Sequence, residues 1–222
     1  MRNFDKLEKN LADGDLYESC FRVKERKSNA QFFLVILGLL IFFMGLRFLW
    51  VQTFAGIVVD GASMRNTLSD GDQLIMRYAN VGEPPKHGDV IIVDTRGYPE
   101  CGNTKFLVKR LIAMEGDKVR AEDGIVYVCY AGETEYVRLE EDYAYYCFNK
   151  ADYDFREYVV GKGEIFFLGD NRQNSKDSRY GLIGGSHLED RLYKLEDIYG
   201  VIPSWAIENK GILETIFFRK VN

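Results

Sequence analysis

The sequence predicts a mainly β fold, an all-β domain carried on a single N-terminal transmembrane helix. The first observation behind this is an unbroken apolar run. No Asp, Glu, Lys or Arg occurs between Ser28 and Leu46, and "FFLVILGLLIFFMGL" continues past Arg47 into "FLWVQTFAGIVV". The second is a change of pattern downstream, where short stretches rich in Val, Ile, Tyr and Phe replace the long run. The third is the punctuation between those stretches. "SDGD", "EPPKHGD", "RGYPECGN" and "EGD" are turn sequences spaced for strands, not helices.

Taken in order, residues 1–31 form a polar N-terminal segment with seven Lys/Arg against six Asp/Glu. Residues 32–54 are the predicted membrane helix, since about 20 apolar residues cross a hydrocarbon layer of about 30 Å. Arg47 then snorkels to an interface, and Trp50 sits near the outer headgroups. Lys24, Arg26 and Lys27 precede the run, so the positive-inside rule places the N-terminus in the cytoplasm and residues 55–222 outside a cell membrane crossed once. A buried core helix suits the run poorly, because a helix apolar on every side rarely fits a chain of 222 residues. A cleaved signal peptide competes no better: the lead-in carries both charge signs, and Thr53-Phe54-Ala55 is a faint small-x-small pattern. Beyond the helix, "AGIVVDGA" is apolar enough to rest on the bilayer surface.

The predicted strands are "QLIMRY", "DVIIVD", "KFLVKRLIAM", "IVYVCY", "YVRLEE", "REYVV" and "EIFFLGD", with "LEDIYGVI" as a returning strand. Residues 121–160 hold ten Asp/Glu against three Lys/Arg and eight tyrosines, which reads as an inserted acidic, tyrosine-rich β subdomain. Its tyrosines are expected to pack a thin sheet with one wet edge. "GILETIFF" is too short to span a membrane, so the C-terminus is expected to stay outside. The net charge of −5, with 28 acidic against 21 basic residues from position 60 onward, argues against a nucleic-acid surface. Cys20 falls inside, and Cys101, Cys129 and Cys147 fall outside. Three cannot all pair within one chain, and a Cys129–Cys147 bridge is one option.

Histidine is scarce. His87 and His187 lie in turn-like surroundings without acids or cysteines at metal-ligand spacing, so both read as surface residues and no metal or cofactor is expected. No P-loop, G-x-G-x-x-G or H-E-x-x-H occurs. A serine hydroxyl can instead be activated by a neutral lysine. Moving a lysine from about 10.4 to near 7 takes roughly 4 to 5 kcal/mol of desolvation, which apolar neighbours can supply. Lys109 in "FLVKRLIAM" has such neighbours, and Ser63 in "SMRNTL" is the candidate nucleophile.

Three segments, in this order after an N-terminal anchor, resemble the motifs of the type I signal peptidases: "GASMRNTL" (61–68), "VKRLIAMEGDKV" (108–119) and "GDNRQNSKDSRYG" (169–181). "LSDGDQLIMRY" and "HGDVIIVD" resemble the strands between nucleophile and base, and the likeness spans roughly residues 32–205. The resemblance implies a membrane-bound Ser-Lys endopeptidase that removes signal peptides at small-x-small sites. Its partners would be signal-peptide-bearing preproteins and the lipid bilayer, with a dedicated surface-protein or pilin substrate as a further expectation. It implies Ser63 as nucleophile and Lys109 as general base, with the Ser63 N–H in the oxyanion hole. It further implies Ser175 supporting the lysine ammonium, Asp177 and Arg179 as a structural ion pair, Met64 and Val108 lining the substrate cleft, and Asp170 and Asn171 forming the last loop. The family usually has proline where Asn66 stands, and glycine and proline where Ala113 and Glu115 stand. Some members offer a hydroxyl where this chain has Gly61. These departures point to a narrow substrate set or reduced activity. In the extreme they point to a catalytically silent factor assisting surface-protein assembly. A self-cleaving repressor shares the chemistry but would need a DNA-binding N-terminus.

Overall fold

The structure, a computed structural model, describes residues 4–96, 105–181 and 193–217. It divides into two compact units, residues 1–52 and 53–222. The first is one helix, α1 (Phe4–Thr53), whose Asn29–Thr53 portion is long and apolar enough to cross a membrane. Its large apolar side chains from Phe32 to Val51 are exposed, an arrangement that calls for a hydrocarbon solvent. The helix runs back to Phe4 without a break at residue 32.

The second unit is built on β-strands. Strand β1 (Phe54–Val58) starts directly after α1, so Phe54 belongs to a strand and not to the helix. The segment expected to rest on the bilayer is in large part this strand, paired antiparallel with β2 (Gln73–Tyr78) from Phe54↔Arg77 to Val58↔Gln73. Tertiary pairing explains the difference, because β1 saturates one edge of its backbone on β2. Strands β3 (Val90–Asp94) and β4 (Phe106–Met114) form a hairpin, and β5 (Lys118–Glu122), β6 (Ile125–Cys129), β7 (Val137–Arg138), β8 (Phe155–Val159), β9 (Ile165–Leu168) and β10 (Ile198–Ile202) follow. A six-stranded sheet has the order β1-β2-β10-β3-β4-β9, and a four-stranded sheet the order β7-β6-β5-β8.

One core cluster joins Met64, Leu68, Leu74, Met76 and Ile92 to Ala206 and Leu213 of the C-terminal helices α2 (Ser204–Glu208) and α3 (Lys210–Phe217). A second joins Ile112, Phe166 and Leu168 of the large sheet to Val119, Val126, Val128 and Phe155 of the small one. "YVRLEE" contributes only the two residues of β7, and residues 139–149 run as irregular chain. "GILETIFF" is mostly helix α3. Cys129 is buried and Cys147 exposed, both as free thiols, so the optional bridge is not formed. Cys101 and His187 lie outside the described residues.

Candidate active site

Between β1 and β2 the chain folds back on itself. Val59 and Gly71 close the loop through Val59 N–H to Asp72 O and Gly71 N–H to Val59 O, both 2.9 Å. Within it, Thr67 N–H donates to Met64 O at 3.0 Å and Leu68 N–H to the same oxygen at 2.8 Å. Met64 and Leu68, each 1% exposed, anchor this turn in the core and leave Ser63 at its rim. Asn66 takes φ +86°. It is the third residue of the Met64–Thr67 turn, where a left-handed conformation favours Gly or Asn. Proline, locked near −65°, cannot adopt it. The departure at position 66 is therefore matched by a turn of different backbone geometry.

Lys109 lies in the middle of β4, opposite Ile91 of β3, and is 2% exposed. Its Nζ donates to Ser63 Oγ and to the Val108 carbonyl, both at 2.8 Å. The next residue, Arg110, reaches the far end of the same turn. Its Nε and Nη2 bind the two oxygens of buried Asp170 at 2.9 and 2.7 Å, Nη2 also reaches Thr67 Oγ1 at 3.3 Å, and Thr67 Oγ1 donates to Asp170. Successive residues of one strand thus hold both ends of the nucleophile turn.

The loop after β9 closes the site from below. Gly169 has no room for a side chain: a Cβ there would run into the Ser175 side chain and lie 2.7 Å from the Ser63 carbonyl oxygen. Asn171 donates its backbone N–H to Ser63 O (3.0 Å) and its side-chain Nδ2 to Ala62 O (2.9 Å), fixing the peptide that carries the nucleophile. Asp177 and Arg179 form a buried pair at 2.8 Å, and Asp177 also accepts from Gly169 N–H at 3.0 Å. Burial pushes the Asp177 pKa up, but the Arg179 charge and hydrogen bonds outweigh it and hold the carboxyl below its usual range. The Ser175 hydroxyl helps hold it low, yet Ser175 Oγ is buried without a well-formed hydrogen bond. Its side chain is seated against Gly169.

A cleft of about 880 Å³ opens over Ser63 and Lys109, lined by Met64, Val108, Val59 and Ile92, with Lys105 and Lys176 also on its wall. Gly61 also lines it, but its N–H is committed to Asp70 Oδ1 at 2.8 Å and it has no hydroxyl. Glu115 sits in the Met114–Asp117 turn and accepts from Gly163 N–H at 2.9 Å, while Ala113 is fully buried beside the irregularity in the β4–β9 pairing. His87 is exposed, as expected of a surface residue, and its Nε2 lies 2.6 Å from buried Asp117. No cluster of His, Cys, Asp and Glu able to hold a metal occurs among the described residues.

Arg110, Gly169, Arg172 and Glu141 received no site role from the sequence, although all four build the frame around it. Arg110 carried one signal, a second cation beside Lys109 inside an apolar strand. Glu141 carried none, because its partner Arg172 is supplied by another loop.

The signal peptidase, peptidase S26 family matches residues 29–206. Signal peptidase I of Bacillus licheniformis is 38% identical over 136 residues, covering 58% of this chain and 68% of that protein. Signal peptidase I T of Bacillus subtilis is 35% identical over 143 residues, covering 63% and 69%. Signal peptidase I P of Bacillus subtilis subsp. natto is 30% identical over 184 residues, covering 80% and 89%. With the family match running from the apolar helix through the ten strands of the described residues, the chain belongs to the signal peptidase family, peptidase S26.

Proposed function

We propose that this chain is a membrane-bound serine endopeptidase that removes N-terminal signal peptides from exported preproteins, with Ser63 as nucleophile and Lys109 as general base. The observation that carries the reading is the 2.8 Å contact between Ser63 Oγ and the Nζ of a buried lysine at the floor of an open cleft. In the first step, neutral Lys109 takes the Ser63 proton while Oγ attacks the scissile carbonyl carbon. The Ser63 N–H donates to the resulting oxyanion, and such a donor is worth about 2.7 to 4 kcal/mol. A second donor is not Gly61, whose N–H is already committed, so another backbone N–H or a water has to supply it. The Lys109 ammonium then protonates the leaving amine, and the ester of Ser63 with the signal peptide remains. Lys109 deprotonates a water that hydrolyses this ester and regenerates Ser63.

Both walls of the cleft present strand edges. Among the described residues, strand β1 pairs only with β2, and the Phe106–Val108 part of β4 pairs only with β3, since β9 takes up β4 from Arg110 onward. An extended peptide can therefore add its backbone to the cleft walls. Met64, Val108, Val59 and Ile92 leave apolar space suited to small side chains before the scissile bond, the basis for expecting small-x-small cleavage. Residues 1–31 lie in the cytoplasm in this reading, and the catalytic unit lies outside.

The test is incubation of the full chain in detergent with a peptide carrying an Ala-x-Ala site, followed by locating the cut by mass. Ser63→Ala and Lys109→Ala should each abolish cleavage with the fold retained. Lys109→Arg should fail too, because a guanidinium is never neutral at working pH. The rate should rise with pH between about 6 and 9, because only the neutral amine accepts the proton. Turnover surviving Lys109→Ala while His87→Ala abolishes it would end the Ser-Lys assignment. Full export function surviving Ser63→Ala would point to the silent assembly factor.

A further inference from the structure

The irregular segment 141–147, "EDYAYYC", touches each of the three motifs that build the site. The Arg110 guanidinium, adjacent in sequence to Lys109, lies 3.8 Å from the Tyr143 ring centre. Arg65, two residues after Ser63, lies 4.7 Å from the Tyr145 ring centre. Arg172, in the loop of Gly169 and Ser175, donates to Tyr146 Oη at 3.0 Å and forms a two-pronged pair with Glu141. The backbone joins in: Tyr145 N–H donates to Asp170 O at 2.7 Å, and Arg172 N–H donates to Tyr145 O at 3.0 Å. Arg172 in turn donates from Nε to Gly169 O at 3.1 Å, the residue packed between Ser63 and Ser175.

These contacts are built, not incidental. Arg172 and Glu141 are almost fully buried, and burial of Arg172 works against its charge while the hydrogen bonds and charge of Glu141 more than offset that effect. Tyr143 donates to Glu141 at 3.1 Å, and burial pushes its phenol well above the usual range, so it stays a neutral ring over Arg110. A cation over an aromatic face is held more strongly when water is excluded.

From these contacts we infer that residues 141–147 are a positioning strap: Tyr143, Tyr145, and Tyr146 with Glu141 hold Arg110, Arg65 and Arg172, and through them keep the turn of Ser63, the strand of Lys109 and the loop of Ser175 in register. The consequence for catalysis rests on the peptidase reading above. The strap residues do not line the cleft, so they act on the alignment of Ser63 with Lys109 and not on substrate contact. The tyrosine-rich insertion thereby has a task beyond packing a sheet.

The experiment compares Tyr143→Ala, Tyr145→Ala, Tyr143→Phe and Tyr145→Phe in the full chain in detergent. Amide hydrogen exchange reads the loops whether or not the protein cleaves a peptide. Both alanine variants should speed exchange by about tenfold or more at residues 61–68 and 169–175; Tyr145→Phe should match wild type because the ring face is kept, and Tyr143→Phe, which keeps its ring over Arg110 but loses the hydrogen bond to Glu141, should stay well below Tyr143→Ala. Faster exchange confined to 139–149 would overturn the strap. With an Ala-x-Ala peptide, the alanine variants should lose about tenfold in kcat with KM within twofold, and phenylalanine should restore kcat. A KM effect with kcat unchanged would also overturn it. A wild type that shows the exchange coupling but cuts no peptide would sink the peptidase reading and leave the strap standing.

Discussion

At the scale of single residues, the site depends on backbone positions as much as on reactive groups. Asn66 is the test of the altered turn. Because its φ is +86°, Asn66→Gly should be tolerated, whereas Asn66→Pro should displace the Ser63 turn and lower kcat/KM by tenfold or more in peptide cleavage. Gly169 is as restrictive for a different reason. Gly169→Ala forces a methyl against the Ser63 carbonyl and the Ser175 side chain, so activity should fall at least tenfold, with a smaller loss of thermal stability. Asp177 sets an acid limit. Its folded pKa lies below the unfolded value, so its stabilising contribution is complete above about pH 4 and is lost as pH falls toward the folded value. A thermal melt followed from pH 6 to pH 2 should show this acid loss in wild type and less of it in Asp177→Asn, which is also less stable at pH 7 because Arg179 is left buried without its counter-charge.

At the scale of elements, β4 is the central piece. Its first half forms one wall of the cleft, its middle supplies Lys109 and Arg110, and its second half, from Arg110 onward, pairs with β9 to carry the loop of Gly169 and Asp177. The C-terminal helices brace the opposite side. Lys210 at the start of α3 donates to Asp72 at 2.8 Å and approaches Thr67 O at 3.4 Å, while Ala206 and Leu213 share a core with Met64 and Leu68. Removing residues 210–222 should therefore weaken peptide cleavage even though no described side chain of α3 lines the cleft. Lys210→Ala should reproduce only a minor part of the loss, because a partly exposed ion pair contributes about 1 kcal/mol or less. Comparison of kcat/KM for the two proteins separates the core packing from the charge.

At the scale of the whole molecule, the helix and the β unit are separate compact bodies joined through Thr53 and Phe54. In the proposed topology, protease added to intact cells should spare residues 1–28, and digestion of that segment would reverse the orientation. An enzyme and a substrate held in one bilayer meet at an effective concentration that a soluble peptide lacks. Deleting residues 1–52 should thus leave detectable cleavage of short peptides and cause a much larger loss on membrane-inserted preprotein. Equal losses on both substrates would show that the helix supports the fold of the site instead.

Local chemistry made a large part of this protein legible in its sequence. The apolar run declares a membrane-spanning length because hydropathy depends on composition alone. The strand class follows from β-branched and aromatic stretches between turn residues. Ser63 and Lys109 could be singled out because a hydroxyl and a lysine in apolar surroundings are chemically distinctive, and the ordered motifs named the family. The boundary at Phe54 was not legible, since an apolar residue suits a membrane helix and an edge strand equally and only the pairing with Arg77 decides. Nor was the left-handed Asn66, the Glu141–Arg172 pair, the Lys210 brace or the tyrosine strap. Each depends on which distant segment arrives opposite a residue, and that is a property of the packed chain: Glu141 and Arg172 are ordinary surface charges until folding buries them against one another.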